Sequence, residues 1–194
     1  MSLWAVIPAK PASEGKSRLA PVLSPASRLR LNLRLFEHTL ATVSAVFAPG
    51  RIIVVSRDAA LLEIAEAAGA RGLRERGDDL NEALHQAAAL LPPGRGLLTV
   101  STDLPNLTPD DLRAMLAPQG RVAIAPDRAG TGTNALFTSP AAAIPYAFGL
   151  DSFARHKAAA ARIGVLPRII SRPGLAFDLD MPEDLAGCPP RFFG

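Results

Sequence analysis

Short apolar runs alternate with longer segments of helical periodicity along most of the chain, and this alternation limits the fold more than any single motif. "LWAVIPA" (Leu3–Ala9), "RIIVVS", "GLLTVSTD" and "RVAIAPD" have the length and composition of buried strands. Between the first two lies "SPASRLRLNLRLFEHTLATVSAV". There Leu29, Leu33, Phe36, Leu40 and Val43 recur at three- and four-residue spacing, which predicts a long helix with that stripe facing the core, beside Arg28, Arg30 and Arg34. Gly50 closes this unit. "DAALLEIAEAAGA" predicts a helix capped by Asp58 and stopped by Gly69. A short strand around Arg71–Arg74 follows, then a helix in "DDLNEALHQAAALLPPG" ended by Pro-Pro-Gly. "TPDDLRAML" carries three start signals: Thr108 as N-cap, Pro109 in the first turn, and Asp110 and Asp111 at the positive helix end.

Beyond Asp127 the pattern changes. A glycine-threonine loop runs into a strand at Asn134–Thr138, and "GLDSFARHKAAAARIG" predicts a helix capped by Asp151 or Ser152 and closed by Gly164. "PRIIS" and "LAFDLD" read as two final strands and "MPEDLAG" as a closing helical turn. Strands alternating with helices predict an α/β sheet covered on both faces. With no repeats and no Gly/Ser linker, the expectation is one domain over 1–194, with an insertion around 128–165 lying over one end of the sheet.

The bulk properties exclude more than they assign. A chain of 194 residues, 48% apolar and 20% charged, is ordinary for a globular domain. The net charge of +3 comes with no block of like charge, so nothing reads as a nucleic-acid arm. A mild positive balance suits a small anion. The single Cys188 rules out an intrachain disulfide or a cysteine metal cluster. No basic-then-apolar leader or membrane-length apolar run is visible, and the simplest location is the cytoplasm.

In an open α/β sheet, ligands bind beyond the carboxyl ends of the strands. The loop after the first strand, "IPAKPASEGKSRLAP", contains Gly-Lys-Ser, as a phosphate-binding P-loop does. It lacks the glycine that motif needs five residues earlier, where Lys10 stands. Pro11 removes an N–H, and Pro21 and Pro25 disfavour helix entry straight after Ser17. Phosphate here would be held by the side chains of Lys10, Lys16 and Arg18.

Asp103 ends the fourth strand and Asp178 and Asp180 the last one, where a two-residue spacing would point both carboxylates to one face. Three hard oxygens beside two lysines and an arginine suit a nucleotide with Mg²⁺. Each piece also has a plainer reading: Asp103 as a turn former, Asp180 as the cap of the last turn, the basic loop as solvated surface. His38, His85 and His156 fall on separate helices without ligand spacing and read as surface or packing residues. No dinucleotide glycine fingerprint follows the first strand, and no Gly-x-Ser-x-Gly elbow or cysteine with a local partner supports nucleophilic catalysis.

"PAKPASEGKSRLAP", "DLNEAL", "STDLPNLTPDDL", "PDRAGTGTNALF", "FGLDSFARHKAAA" and "FDLDMPEDLAG" occur in a characteristic order and spacing. In them the chain resembles, over nearly its whole length, the guanylyltransferases of deazaflavin coenzyme F(420) biosynthesis. Asp79 and Ser101-Thr102 depart from that pattern, at positions where the family tends to have glycine and Pro-Ala. The resemblance implies a Rossmann-like, mostly parallel mixed sheet of the nucleotide-diphospho-sugar-transferase kind. It implies transfer of GMP from GTP to phosphoenolpyruvate, 2-phospho-L-lactate or 3-phosphoglycerate, with release of pyrophosphate. Lys16 and Asp103 would be catalytic, and Lys10, Lys16 and Arg18 would hold the triphosphate. Leu80 and Asn81 would hold the nucleoside, and Mg²⁺ would sit on Asp103, Asp178 and Asp180.

The acid would bind where "GTGT" and "GLDS" converge, at Thr133, Gly149 and Ser152, with free N–H groups at the start of the Ser152 helix as an anion site. A nucleotidyltransferase with another acceptor and a non-catalytic nucleotide-binding module are the competing readings, and a homodimer is left open.

Overall fold

The computed structural model describes residues 3–77, 79–117 and 120–193. Seven strands form one sheet: β1 (Leu3–Pro8), β2 (Ile52–Ser56), β3 (Arg71–Arg74), β4 (Gly96–Val100), β5 (Val122–Pro126), β6 (Thr133–Thr138) and β7 (Arg168–Ile169). Their order is β3-β2-β1-β4-β6-β5-β7, and all neighbours are parallel except β6, which is antiparallel to both β4 and β5. The expected α/β architecture is therefore present as a mixed, mostly parallel sheet.

The central strands are buried on both faces, which is why they read as unbroken apolar runs. Ala5, Ile7, Ile52, Val54 and Leu98 point one way, toward α1 (Pro25–Ser44), α2 (Ala59–Ala67) and α4 (Pro109–Met115). Val6, Ile53, Leu97 and Ile124 point the other way, toward α3 (Leu80–Ala88) and α5 (Ser152–Arg162). The caps predicted at Asp58 and Thr108 form, Asp79 adds one that was not predicted, and the helix at Ser152 starts without a side-chain cap. Asp58 accepts from the Ala60 N–H, Asp79 from those of Asn81 and Glu82, and Thr108 and Asp111 complete a capping box. The closing turn expected in "MPEDLAG" is a 3₁₀ turn over Pro182–Gly187.

Three local expectations need correction. The stripe on α1 is wider than its spacing suggested. Leu29 is 39% exposed, whereas Leu31 and Leu35 are buried in a separate cluster with Leu19, Leu179, Cys188 and Phe192. A chain tail packs on the face of α1 that periodicity assigned to solvent. The helix-entry expectation also shifts, since Ser17–Leu19 form a single 3₁₀ turn before α1 begins after its Ser24 cap.

The third correction matters for the site. "LAFDLD" is not a strand. Pro173–Ala176 form one helical turn, α6, and the chain then runs irregularly to Asp180. That stretch's one backbone–backbone bond to a neighbouring segment, among the described residues, is from the Leu179 N–H to the Asp103 carbonyl at 2.9 Å. The apolar alternation there has another cause: Leu175 and Leu179 are buried against different clusters. In the segment expected as an insertion, the strand anticipated at Asn134–Thr138 is fully buried and lies between β4 and β5, inside the sheet. Residues 128–132 and 139–165 lie outside it.

α6 is held by Arg172, which pairs with the buried Asp111, and by the Asn134 side-chain amide donating to the Leu175 carbonyl at 2.9 Å. A methyl group at Gly174 would sit 2.6 Å from the Asn106 carbonyl oxygen and press on the Asp111 carboxylate. Gly174→Ala is therefore expected to cost about 1–3 kcal/mol by overpacking, measured by urea denaturation against the unsubstituted protein.

Candidate active site

The sheet order reverses between β1 and β4, and such a switch point opens a crevice at the carboxyl edge. Three separate segments meet there. The loop after β1 brings Lys16, the turn after β4 brings Asp103, and the tail brings Asp180. The Lys16 Nζ donates to Asp180 Oδ1 at 3.0 Å and to Asp103 Oδ2 at 3.3 Å, while its side chain is only 9% exposed. Burial alone would lower the Lys16 pKa, but the charges of Asp103 and Asp180 outweigh it, and the pKa is raised. Lys16 is a fixed ammonium. Arg18 approaches Asp180 Oδ2 at 3.6 Å with a largely exposed side chain.

The loop earns this geometry from its own packing. Asn32 of α1 donates to the Ala12 carbonyl at 2.6 Å, and Asp58 accepts from the Ala12 N–H at 3.2 Å. Gly15 lies so close to Asn32 that an added Cβ would meet its amide nitrogen at 2.6 Å. Lys16 then takes a left-handed backbone, φ +58°, which is uncommon for a non-glycine residue. Leu19 and Leu179, both fully buried, lock the loop and the tail into one apolar cluster.

Negative charge is in excess around this lysine. Asp178 is pushed up to about 6, by burial first and then by the carboxylates of Asp103, Asp180 and Asp127. Asp103 Oδ1 is buried and accepts no hydrogen bond among the described residues. An oxygen in that state suits a cation, so Asp103 with Asp180 and Asp178 fits the chemistry of Mg²⁺. The expected ligand trio is nevertheless not ready-made. Among the described residues no three acidic, His or Cys side chains form a metal cluster, and the Lys16 ammonium bridges Asp103 and Asp180.

Lys10, Lys16, Arg18, Leu80, Asp103 and Asp180 all line one cavity of 470 Å³. That wall also includes Ser101 and Thr102, noted above only as a departure from the family pattern, and Glu14, Arg57 and Glu75, which sequence reasoning did not single out. Asn81, by contrast, has both ends of its amide occupied: its Nδ2 donates to the Phe148 carbonyl at 3.3 Å and its Oδ1 accepts from the Phe148 N–H at 2.7 Å. It ties α3 to the loop before α5.

That loop was expected to hold an anion on free helix-start N–H groups, and this needs correction. The Ser152 N–H bonds the Gly149 carbonyl at 3.2 Å, and the Phe153 N–H bonds the Thr131 carbonyl at 3.0 Å. Asp151 is the N-cap, in a left-handed conformation, and makes no side-chain cap. Gly149 has φ +110°, which glycine alone adopts without strain, and open space surrounds it. Thr133 bonds His156 Nδ1 at 3.0 Å; Thr133 and Ser152 are buried, while Gly149 faces open space.

His156 was read as surface or packing, and it is packing, fully buried. Its Nε2 accepts from the Ala147 N–H at 3.0 Å, which makes Nδ1 the protonated nitrogen, donating to Thr133. Asp184 was missed as well. It accepts from the Asp180 and Met181 N–H groups at 2.9 and 2.7 Å and pairs with Arg128, fixing the backbone beside Asp180. Its signal was an acidic residue in the first turn after Pro182.

Fold and site together are those of an α/β nucleotidyltransferase. A solved structure from Desulfovibrio desulfuricans G20, described as a nucleotide-diphospho-sugar transferase, has the same fold. Its TM-score is 0.71 at 17% identity, covering 95% of this chain and 85% of that one. Residues 3–188 match the family described as "Guanylyl transferase CofC like", and the chain belongs to that family. A relative named phosphoenolpyruvate guanylyltransferase from Rubrobacter xylanophilus is 45% identical over 193 residues, 96% of this chain and 93% of its own length. Another of that name from Sphaerobacter thermophilus is 42% identical over 189 residues, 95% of this chain and 91% of its own. No helix among the described residues is long and apolar enough to cross a membrane.

The buried, neutral His156 gives a pH test. Burial, and then Arg155, lower its pKa from 6.5 to about 4. The unfolded chain therefore takes up a proton first, and stability is lost as pH falls from about 6.5 toward 4, by roughly 3 kcal/mol. His156→Gln should remove most of that slope, measured as urea midpoints across the same pH range.

Proposed function

We propose that this protein transfers GMP from GTP to the phosphate of phosphoenolpyruvate, releasing pyrophosphate, in the cytoplasmic synthesis of deazaflavin coenzyme F(420). One observation carries this reading: a buried ammonium held between Asp103 and Asp180 at the sheet's switch point, on the wall of a cavity of 470 Å³. That volume is in the range of small-molecule sites. The names of the relatives support phosphoenolpyruvate as acceptor. 2-Phospho-L-lactate and 3-phosphoglycerate differ from it by a few atoms and are the alternatives.

The acceptor phosphate is already largely ionised near neutral pH, its second pKa being about 6. One of its oxygens attacks the α-phosphorus of GTP in line. The bond from that phosphorus to the oxygen bridging the β-phosphate breaks, and its electron pair leaves on pyrophosphate. No proton has to be removed, so the step needs no general base. The protein has to supply alignment and neutralisation of charge.

Lys16 meets the triphosphate by exchanging carboxylate oxygens for phosphate oxygens, and Lys10 and Arg18 take the outer phosphates. Mg²⁺ bound through Asp103, Asp180 and Asp178 would place further positive charge on the phosphates. Leu80 packs against the nucleoside and Asn81 holds the loop beside it. Thr133, Gly149 and Ser152 form the acid's side of the site within a single catalytic domain.

The reading is tested by pyrophosphate release with Mg²⁺, crossing GTP, ATP and CTP with the three acids and identifying products by mass. A GTP-dependent adduct with phosphoenolpyruvate is expected, and no adduct with any of the acids would overturn it. Asp103→Asn should lower turnover by about 100-fold or more while the melting temperature stays close to that of the unsubstituted protein. Lys16→Ala should reduce kcat/KM for GTP by a similar factor, and a change confined to melting temperature would make Lys16 structural.

A further inference from the structure

The cavity has two chemically different ends. At the β1–β4 end stand Lys16, Asp103 and Asp180. The other end lies beyond β2 and β3, and three inter-strand steps of ~4.8 Å separate β3 from β4. Its walls are apolar, from Val55, Leu61, Leu80 and Ala83, and it carries one polar set. Glu75 leaves β3 with its N–H on the Ser56 carbonyl at 3.0 Å, and its side chain is only 13% exposed. Arg57, leaving β2, lies 3.8 Å from the Glu75 carboxylate through Nε and 3.0 Å from Glu14 through Nη2. The carboxylate disfavours a phosphate at this end, and a carboxylate beside a guanidinium on an apolar wall matches the edge of a purine.

We infer that this end selects the guanine base, with the Glu75 carboxylate accepting from guanine N1–H and the 2-amino group and Arg57 donating to O6. The inference rests on the GTP reading above and adds how the base is chosen. Guanine presents two adjacent donors and then an acceptor; a carboxylate next to a guanidinium presents the complement. Adenine places the lone pair of N1, and cytosine that of N3, where guanine has N1–H. A carboxylate held in place would repel either lone pair. Arg57 pairs with the Glu75 carboxylate at 3.8 Å and bonds Glu14 at 3.0 Å, so the guanidinium and the carboxylate stand side by side before the base arrives.

The test removes one group on each side of the contact. Inosine triphosphate lacks the 2-amino group, so the unsubstituted protein should use it about tenfold or more less efficiently than GTP. In Glu75→Gln the side chain offers one acceptor and one donor. The GTP/ITP ratio of kcat/KM should fall to within about threefold, and ATP should gain at least tenfold relative to GTP. The same ratios are measured by equilibrium binding of GTP, ITP and ATP without any acid.

Binding ratios decide the base inference even if no acid is guanylylated, an outcome that overturns the proposed function and leaves the base inference to stand or fall on the ratios. Equal use or binding of GTP and ITP by the unsubstituted protein would overturn it, as would unchanged ratios in Glu75→Gln. If Glu75→Gln does not fold, Glu75→Asp serves. It keeps the charge, so it should weaken GTP while still rejecting ATP, and an unaltered GTP affinity there would also overturn the inference.

Discussion

One ammonium holds three distant pieces of chain together. Asp103 lies 87 residues from Lys16 in sequence and Asp180 lies 164 away, yet both carboxylates reach the same nitrogen. Without that charge the two would face each other in a half-buried crevice, with Asp178 and Asp127 nearby to worsen the repulsion. The apolar cluster around Leu19 and Leu179 brings the segments into register, and Lys16 makes their proximity tolerable. Neither is sufficient alone. A buried pair gains little net stability over a well-packed apolar one, so this arrangement is better understood as a poised site than as a stabilising device.

The surplus of carboxylate has a consequence for how ligands arrive. On the function proposed above, Asp103, Asp178 and Asp180 would repel a bare triphosphate, and the nucleotide would have to bring cations or meet them there. Lys16 is paired in this structure, and in the proposed reaction contact with phosphate would exchange one anionic partner for another without exposing a bare buried charge. Lys10 and Arg18 are exposed and can swing in afterwards. At the far side of the site, His156 stays neutral, joins Thr133 of β6 to Ala147, and keeps the loop through Gly149 in place. The two halves of the site are thus held by opposite means, charge on one side and a buried neutral network on the other.

Much of this was legible in the sequence because the physics involved is local. Strands buried on both faces must be apolar throughout, and caps need Asp, Ser or Thr at fixed offsets, so β1, β2, β4 and β5 and the starts of α2 and α4 stood out. Lys16, Asp103 and Asp180 could be placed together because each follows or ends a segment at the same edge. What failed was tertiary. Leu31 and Leu35 are buried by a tail whose return across α1 leaves no periodicity in α1 itself. "LAFDLD" imitates strand alternation because its two leucines enter different clusters, and the free helix start at Ser152 was taken up by the Gly149 and Thr131 carbonyls. Arg57 and Glu75 carried no motif, since their pairing exists only once β2 and β3 lie side by side.

The loop after β1 shows why a Gly-Lys-Ser tripeptide need not make a P-loop. In a P-loop, successive backbone N–H groups wrap the phosphates, which requires glycines and an immediate helix. Here Pro11 removes one donor, and the Glu14 and Leu19 N–H groups already bond Pro11 and Lys16 carbonyls within the loop. Those two groups, with the Ala12 N–H on Asp58, serve the loop's own rigidity. Gly15 remains necessary for a different reason: it lets Asn32 close on the loop, and that closure presents Lys16 from a left-handed turn. Rigid backbone with charged side chains lets one lysine serve two carboxylates and, in the proposed reaction, a phosphate in turn. A nest of backbone N–H groups, with no charge to share, could not.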